Sequence, residues 1–303
     1  MRVLISGGSG FLGRALSQAL SARGDTPVWL SRAPASAQAP AGAAVLGYDA
    51  LGPDLAFDAV VNLAGAGIAE RRWSDARKQA LFDSRLLPTR ALVAWMRRAR
   101  TRPRVLLSGS AVGWYGRWPP GAPALDERSG AHDEFVHALC AHWERTALEA
   151  VALGVPVALL RTGVVLHPDG GMLKRLLPLF RHGLGARLGD GRQVLSWISR
   201  DDWVGAVLAL LDQHAARAPA AMVGPVNLCA PEAVSNAEFT RVLAAAVGRR
   251  ARLRLPAAGL RLALGEMSTL LLDGQRVVPA RLLAAGHRFR HPELDALLPP
   301  ARA

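Results

Sequence analysis

The chain has 303 residues, half of them hydrophobic, enough to bury the core of one large domain or two smaller ones. No run reaches the roughly 18 uncharged apolar residues of a membrane helix, and MRVLIS meets glycines too soon for a signal peptide, so a cytoplasmic protein without a membrane partner is expected. The net charge is +13, yet only Lys78 and Lys174 among the 37 basic residues are lysines, and arginines spread along a chain without interleaved aromatics read as a solvated surface rather than a nucleic-acid interface.

The first half alternates short β-type runs with helical stretches. RVLIS leads into a helix from Phe11 to Arg23, PVWLS follows, and DAVVNLA precedes two helical segments. RRARTRPR, Arg97 to Arg104, falls where helix gives way to strand, a place that favours cations. RVLLSGS then leads to a helix around Cys140, and VPVALLR closes the series. This order predicts an α/β protein with a Rossmann-type, doubly wound parallel sheet covered on both faces. The Pro-, Ala- and Gly-rich stretches Ala33 to Ala44 and Arg117 to Gly130 read as loops within that domain. Past Arg161 the pattern loosens. A dinucleotide-binding domain is expected over 1–225, with substrate-side insertions after 161, and a smaller C-terminal domain over 226–303, although VNLCA has the composition of a strand returning to the sheet.

VLISGGSGFLGRAL sets Gly7, Gly10 and Gly13 at three-residue spacing between the first strand and a helix whose Phe11 and Leu12 turn inward. Small residues are required there because the backbone must turn sharply and bring its N–H groups, including that of Ser9, against a pyrophosphate at the helix N-terminus. Cofactor choice is read from the second strand. NAD-preferring sites place an acid there to accept from the ribose hydroxyl, whereas PVWLSRAP ends in Ser31 and Arg32. A guanidinium pairs with a 2′-phosphate and gains little from a hydroxyl, so the expected cofactor is NADP(H).

Taken together, ISGGSGFLG, VVNLAGA at the fourth strand, LLSGSAVGWYG at the fifth and LLRTGVVL at the sixth resemble an extended short-chain dehydrogenase/reductase. RRWSDARKQALFDSR, RTGVVLHPDGGML, LGDGRQVLSWIS, NLCAPEAVSNAEFTRVLA and LLAAGHRFRHPEL narrow the resemblance to its atypical branch, the epimerase family with a C-terminal DUF1731 domain, from Met1 to about Leu298. The resemblance implies that Leu63, Ala64 and Gly65 pass beneath the adenosine and that Arg85 lies near the cofactor, a helix-surface ion pair being the other reading of Arg85.

That resemblance also exposes a gap. Enzymes of the superfamily use a Tyr with a Lys four residues on, whose charge lowers the phenol pKa from about 10. Tyr48 and Tyr115 are the only tyrosines, followed four places later by Gly52 and Pro119. In register, Val136 takes the Tyr position and Cys140 the Lys position. The helical stripe Val136, Leu139, Cys140, Trp143 and Ala147 then reads as packing that has lost its proton relay; His137, Cys140 and Glu144 share a face, but no metal is expected. Ser110, where the superfamily's serine polarises a carbonyl, and Tyr115 are the candidate catalytic groups, with Ser108 as competitor.

Trp114, Trp118 and Trp197 suit a pocket lining or packing, and His167 and Asp169 follow a strand where open α/β sheets bind ligands. Asp202 suits either a site near Trp197 or a helix cap. Neither a nucleophile elbow nor a Gly-Lys-Ser/Thr phosphate loop occurs, which argues against a serine hydrolase and a nucleotide triphosphatase. The expected function is an NADP(H)-dependent oxidoreductase or epimerase acting on a nucleotide sugar or other small carbonyl or carbinol substrate. The alternative is a non-catalytic NADP(H)-binding regulator. A small-molecule substrate is the partner expected, and a homodimer is left open.

Overall fold

In the computed structural model, which describes residues 1–40 and 42–301, the strands of the first half are β1 (Arg2–Ser6), β2 (Thr26–Ser31), β3 (Ala44–Gly47), β4 (Ala59–Asn62), β5 (Leu106–Ala111) and β6 (Val157–Thr162). Val3, Leu4 and Ile5 are all fully buried, which alternating side chains achieve only when both sheet faces are covered. One face carries Val3, Ile5, Val61 and Leu107 against α1 (Phe11–Ala22); the other carries Leu4, Val60 and Leu106 against α2 (Asp75–Arg98) and α3 (Phe135–Leu148). Five short strands follow the first six before the sheet is complete: β7 (Val164–His167), β8 (Ala186–Leu188), β9 (Val194–Leu195), β10 (Trp197–Ser199) and β11 (Gly224–Leu228). The seven-stranded parallel sheet runs β11-β6-β5-β4-β1-β2-β3. Strand order reverses between β1 and β4, and such a switch point opens a crevice at the carboxyl ends of the strands.

Two local expectations change. The helical region after β4 is one helix of 24 residues, not two segments, with Pro88 inside it. Ser74 caps its start, and the buried side chains Leu81, Pro88, Leu92, Trp95 and Met96 run through the proline, so packing outweighs the lost hydrogen bond. The boundary placed between 225 and 226 cuts β11, whose Val226, Asn227 and Leu228 pair with Leu160, Arg161 and Thr162. Its apolar side chains complete the first sheet face beside α5 (Arg200–Ala215), which packs Trp203, Ala206, Val207 and Leu210 there, while α4 (Gly171–Arg181) buries Leu173, Leu177 and Phe180 in a separate cluster.

The remaining elements are β12 (Val234–Ser235), α6 (Asn236–Ala246), β13 (Leu253–Leu255), α7 (Ala257–Leu264), α8 (Thr269–Leu272), α9 (Ala280–Ala284) and α10 (Leu294–Leu297). They do not form a core of their own. Phe239, Val242 and Leu243 of α6 pack with Leu173, Leu177 and Phe180 of α4 and with Trp197 of β10. Trp197 is fully buried there as part of the packing. Asp202 joins the C-terminal segment to α5: its carboxylate accepts from the N–H groups of Arg290 and His291 at 2.6 and 3.0 Å and from the Ser199 hydroxyl at 2.6 Å. The arginines of RRARTRPR hold carbonyls: Arg98 that of Leu51, Arg102 those of Met96 and Leu153, and Arg104 that of Ala215.

Candidate cofactor and substrate site

The glycine loop closes β1 onto α1. Gly7 has φ +80°, and a Cβ there would lie 2.7 Å from the Leu63 carbonyl; at Gly13 it would lie 2.4 Å from the Gly7 carbonyl oxygen. Backbone from β1, α1 and the end of β4 therefore meets without side chains between. Helix α1 begins at Gly10 with no side-chain cap and no acid in its first turn, leaving its first N–H groups and positive dipole end for an anion. Gly8 rests on the Trp29 ring, which a Cβ would meet at 2.4 Å. The Trp29 indole donates to Ser17 at 2.7 Å, and Ser17 donates to the Gly13 carbonyl at 2.7 Å, a brace beneath the loop that glycine spacing does not reveal.

The other expected cofactor residues surround this cradle. Ser31 accepts from the Ala33 N–H at 3.1 Å, turning the chain so that Arg32 is exposed one step beyond β2, without an ion pair among the described residues. Tyr48, bonded to Ser6 at 2.7 Å, lies within the charge field of Arg32. Leu63 bonds the Ser6 carbonyl at 2.8 Å, continuing β4 beside β1, and Ala64 and Gly65 follow. Arg85 makes no ion pair among the described residues. It lies partly buried over the Trp143 ring and donates to the Ala66 carbonyl at 3.1 Å beneath Gly65, and its desolvation there holds the guanidinium below the ordinary arginine range. Phe11 carries the loop's outer wall: Gly170 packs on its ring, His167 lies 6.3 Å away, and Arg200 stands 5.8 Å from its centroid. The His167–Asp169 pair, 3.5 Å apart, thus borders the glycine loop.

One strand further along lies a buried polar array that spacing did not expose. Ser110, at the end of β5, donates to Glu144 Oε1 at 2.6 Å. Arg161, paired with Ser110 in the β5–β6 ladder, grips Glu144 with Nε to Oε1 at 2.9 Å and Nη2 to Oε2 at 3.0 Å. Its Nη1 reaches Tyr115 at 3.3 Å, and the Tyr115 hydroxyl donates to Asn227 of β11 at 2.8 Å. Trp114 roofs the guanidinium at 3.4 Å. Burial alone would lower the Arg161 pKa, but the bonds and charge of Glu144 outweigh it and raise it. Burial raises the Tyr115 phenol above its ordinary value despite Arg161. Ser108 is fully buried one turn of the pleat back, its hydroxyl without a partner among the described residues. Two signals for this array were visible in the sequence: an arginine ending the apolar run VALLR and an acid on the apolar stripe of α3, charges that burial tolerates only as a pair.

The three residues of helix α3 that share a face are each engaged separately. His137 bonds the Trp114 carbonyl, Glu144 faces Arg161, and burial pushes the Cys140 thiol up to about 12; no group of three or more potential ligands converges among the described residues. Trp118 stacks on His132 at 4.2 Å and lines a cleft with Pro119 and Gly274.

The chain matches the NAD dependent epimerase/dehydratase family over residues 3–224 and the domain of unknown function DUF1731 over residues 255–298. An epimerase family protein of Mycobacterium bovis is 44% identical over 296 residues, covering 95% of this chain and 93% of the relative. The human epimerase family protein SDR39U1, solved with NADPH, superposes with a TM-score of 0.87 at 34% identity over 98% of each chain. A nucleoside-diphosphate sugar epimerase from Corynebacterium glutamicum superposes with a TM-score of 0.75 at 32% identity, over 98% of this chain and 57% of that one. From the glycine cradle through β11 to the C-terminal segment, the chain belongs to the NAD dependent epimerase/dehydratase family, in the branch that carries a DUF1731 domain.

Proposed function

We propose that this protein binds NADP(H) and transfers hydride between the nicotinamide and a carbonyl or carbinol carbon of a nucleotide sugar or another small molecule. The observation that carries the reading is one arrangement: a side-chain-free cradle at the switch point, with the Ser110 hydroxyl at the same carboxyl edge of the sheet, one strand away. The NADPH bound to the human relative supports the cofactor, and the similarity to a nucleoside-diphosphate sugar epimerase of Corynebacterium glutamicum supports the substrate class. Gly7, Ser9, Gly10, Phe11, Leu12 and Gly13 would hold the pyrophosphate, Ser31 and Arg32 the 2′-phosphate, and Leu63, Ala64 and Gly65, backed by Arg85, the adenosine side. Bound NADP(H) would supply or take up the hydride, and the proton that accompanies it would pass to or from solvent, since Ser110, Tyr115 and Glu144 are bonded to one another, to Arg161 and to Asn227.

The chain's own residues then orient the substrate. Ser110 donates its hydroxyl hydrogen bond to Glu144, which leaves its lone pairs as the acceptor for a substrate hydroxyl or amide. Because Arg161 engages both oxygens of Glu144, that carboxylate is fixed in place and in turn holds Ser110. Tyr115, fully buried and committed to Asn227 and Arg161, acts as a positioning residue. A second reading, a non-catalytic NADP(H)-binding protein whose occupancy controls a partner, is favoured by the burial of Val136 and Cys140, the residues that the family resemblance puts in register with the proton relay.

Titration calorimetry with NADPH and NADH, followed by product analysis against nucleotide sugars and small carbonyl compounds, separates these readings. Arg32→Ala should weaken NADPH roughly ten- to a hundredfold, by loss of a charge-assisted contact of about 1.5–3 kcal/mol, and leave NADH unchanged. Equal weakening of both would remove the 2′-phosphate assignment, and NADPH binding with no product from any substrate would favour the regulator.

A further inference from the structure

Far along the chain from the glycine loop, α6 and the turn into β13 enclose a cleft of about 500 Å³. Six of its twelve lining residues are arginines: Arg187, Arg241, Arg249, Arg250, Arg252 and Arg254. The chain as a whole has 37 basic residues in 303, so the cleft is enriched about fourfold in cations. No acid lines it. Arg241 is bonded to Glu238 and lies within the field of Asp295, while Arg249 and Arg254 each spend one Nε–H on a carbonyl, of Arg181 and Gly189. Arg187 and Arg254 stand opposite one another in the β8–β13 ladder, where like charges repel. Alanines 237, 244, 245 and 251 leave the space between the guanidinium groups open.

We infer that this cleft is a second ligand site, separate from the cofactor cradle, for a small molecule carrying two or more phosphate groups. Guanidinium forks entering from α6, β8 and β13 match phosphate oxygens bidentately from several sides, and a ligand of several negative charges relieves their mutual repulsion. The volume suits a molecule of nucleotide size. A nucleic-acid strand fits less well, because no aromatic side chain lines the cleft to stack on bases.

Tripolyphosphate and ATP, titrated calorimetrically into the whole protein at about 150 mM salt with and without saturating NADPH, test this. The expected result is saturable binding of about one molecule per chain that NADPH does not displace. Equal affinities identify the phosphate chain as the recognised group, and tighter ATP a nucleoside polyphosphate. Arg250→Ala/Arg252→Ala, two exposed residues, should weaken binding about tenfold or more and leave the melting temperature and NADPH affinity unchanged. Arg90→Ala/Arg97→Ala, which removes the same charge from exposed positions of α2, should leave it unchanged. Absence of saturable binding, displacement by NADPH, equal loss in both double variants, or binding only to oligonucleotides would each overturn the inference.

Discussion

The Glu144–Arg161 pair sets up a sharp test of the buried array. In Glu144→Gln the side chain keeps its shape and one oxygen, but its amide nitrogen faces a guanidinium that also only donates, so either the 2.9 Å or the 3.0 Å bond is replaced by a clash of donors. Arg161 is 3% exposed, so water cannot solvate the released charge. Breaking one side of a buried pair costs about 3–5 kcal/mol, whereas replacing both partners by apolar groups is often neutral. For a chain of this length about 2 °C of melting temperature accompanies each kcal/mol, so Glu144→Gln should melt roughly 6–10 °C lower. Glu144→Leu/Arg161→Met should recover most of that loss while releasing Ser110 and Tyr115, separating the array's cost in stability from its use in orientation. Thermal melts by circular dichroism, with NADPH titration as a check on the cradle, give the answer. A single variant within about 1 °C of the parent, or a double variant as unstable as the single, would refute the claim that the carboxylate compensates the buried guanidinium.

Gly13→Val should abolish NADPH binding in calorimetry, because its Cβ would sit 2.4 Å from the Gly7 carbonyl oxygen and force the loop apart, while the sheet still forms by circular dichroism. Both cysteines should stay unreactive to a thiol reagent at pH 8 until the protein is unfolded, when two thiols titrate; burial pushes the Cys140 thiol up to about 12 and raises Cys229 also. Burial, with Arg200 adding to it, lowers the pKa of His167 below its ordinary 6.5, and burial lowers that of His287. The folded state then binds fewer protons than the unfolded one, so stability present above about pH 6.5 should be lost as pH falls through the lowered values. Urea midpoints of His167→Asn/His287→Asn should fall less steeply over that window.

Periodicity and motif spacing were enough to read the parallel sheet, its order of elements, the glycine cradle and the arginine beyond β2, because each depends on residues within a few positions of one another. RVLIS had to be a strand covered on both faces, and the triplet Gly7, Gly10 and Gly13 had to be a close backbone approach. The absence of a tyrosine and lysine four residues apart was equally plain. Elements decided by contacts between distant residues were not legible. Pro88 marks a helix break by local preference, yet packing of Leu81, Leu92 and Trp95 carries α2 through it. The strand β11 belongs to the first domain's sheet because Leu160 and Arg161 pair with Val226 and Asn227, 66 residues later in the chain. Trp29 braces the phosphate loop through Ser17, and Glu144 meets Arg161 and Ser110 from a different element. A charge on an apolar stripe announces that it needs a partner, because desolvation is costly, but only the three-dimensional register of α3 against β5 and β6 says which.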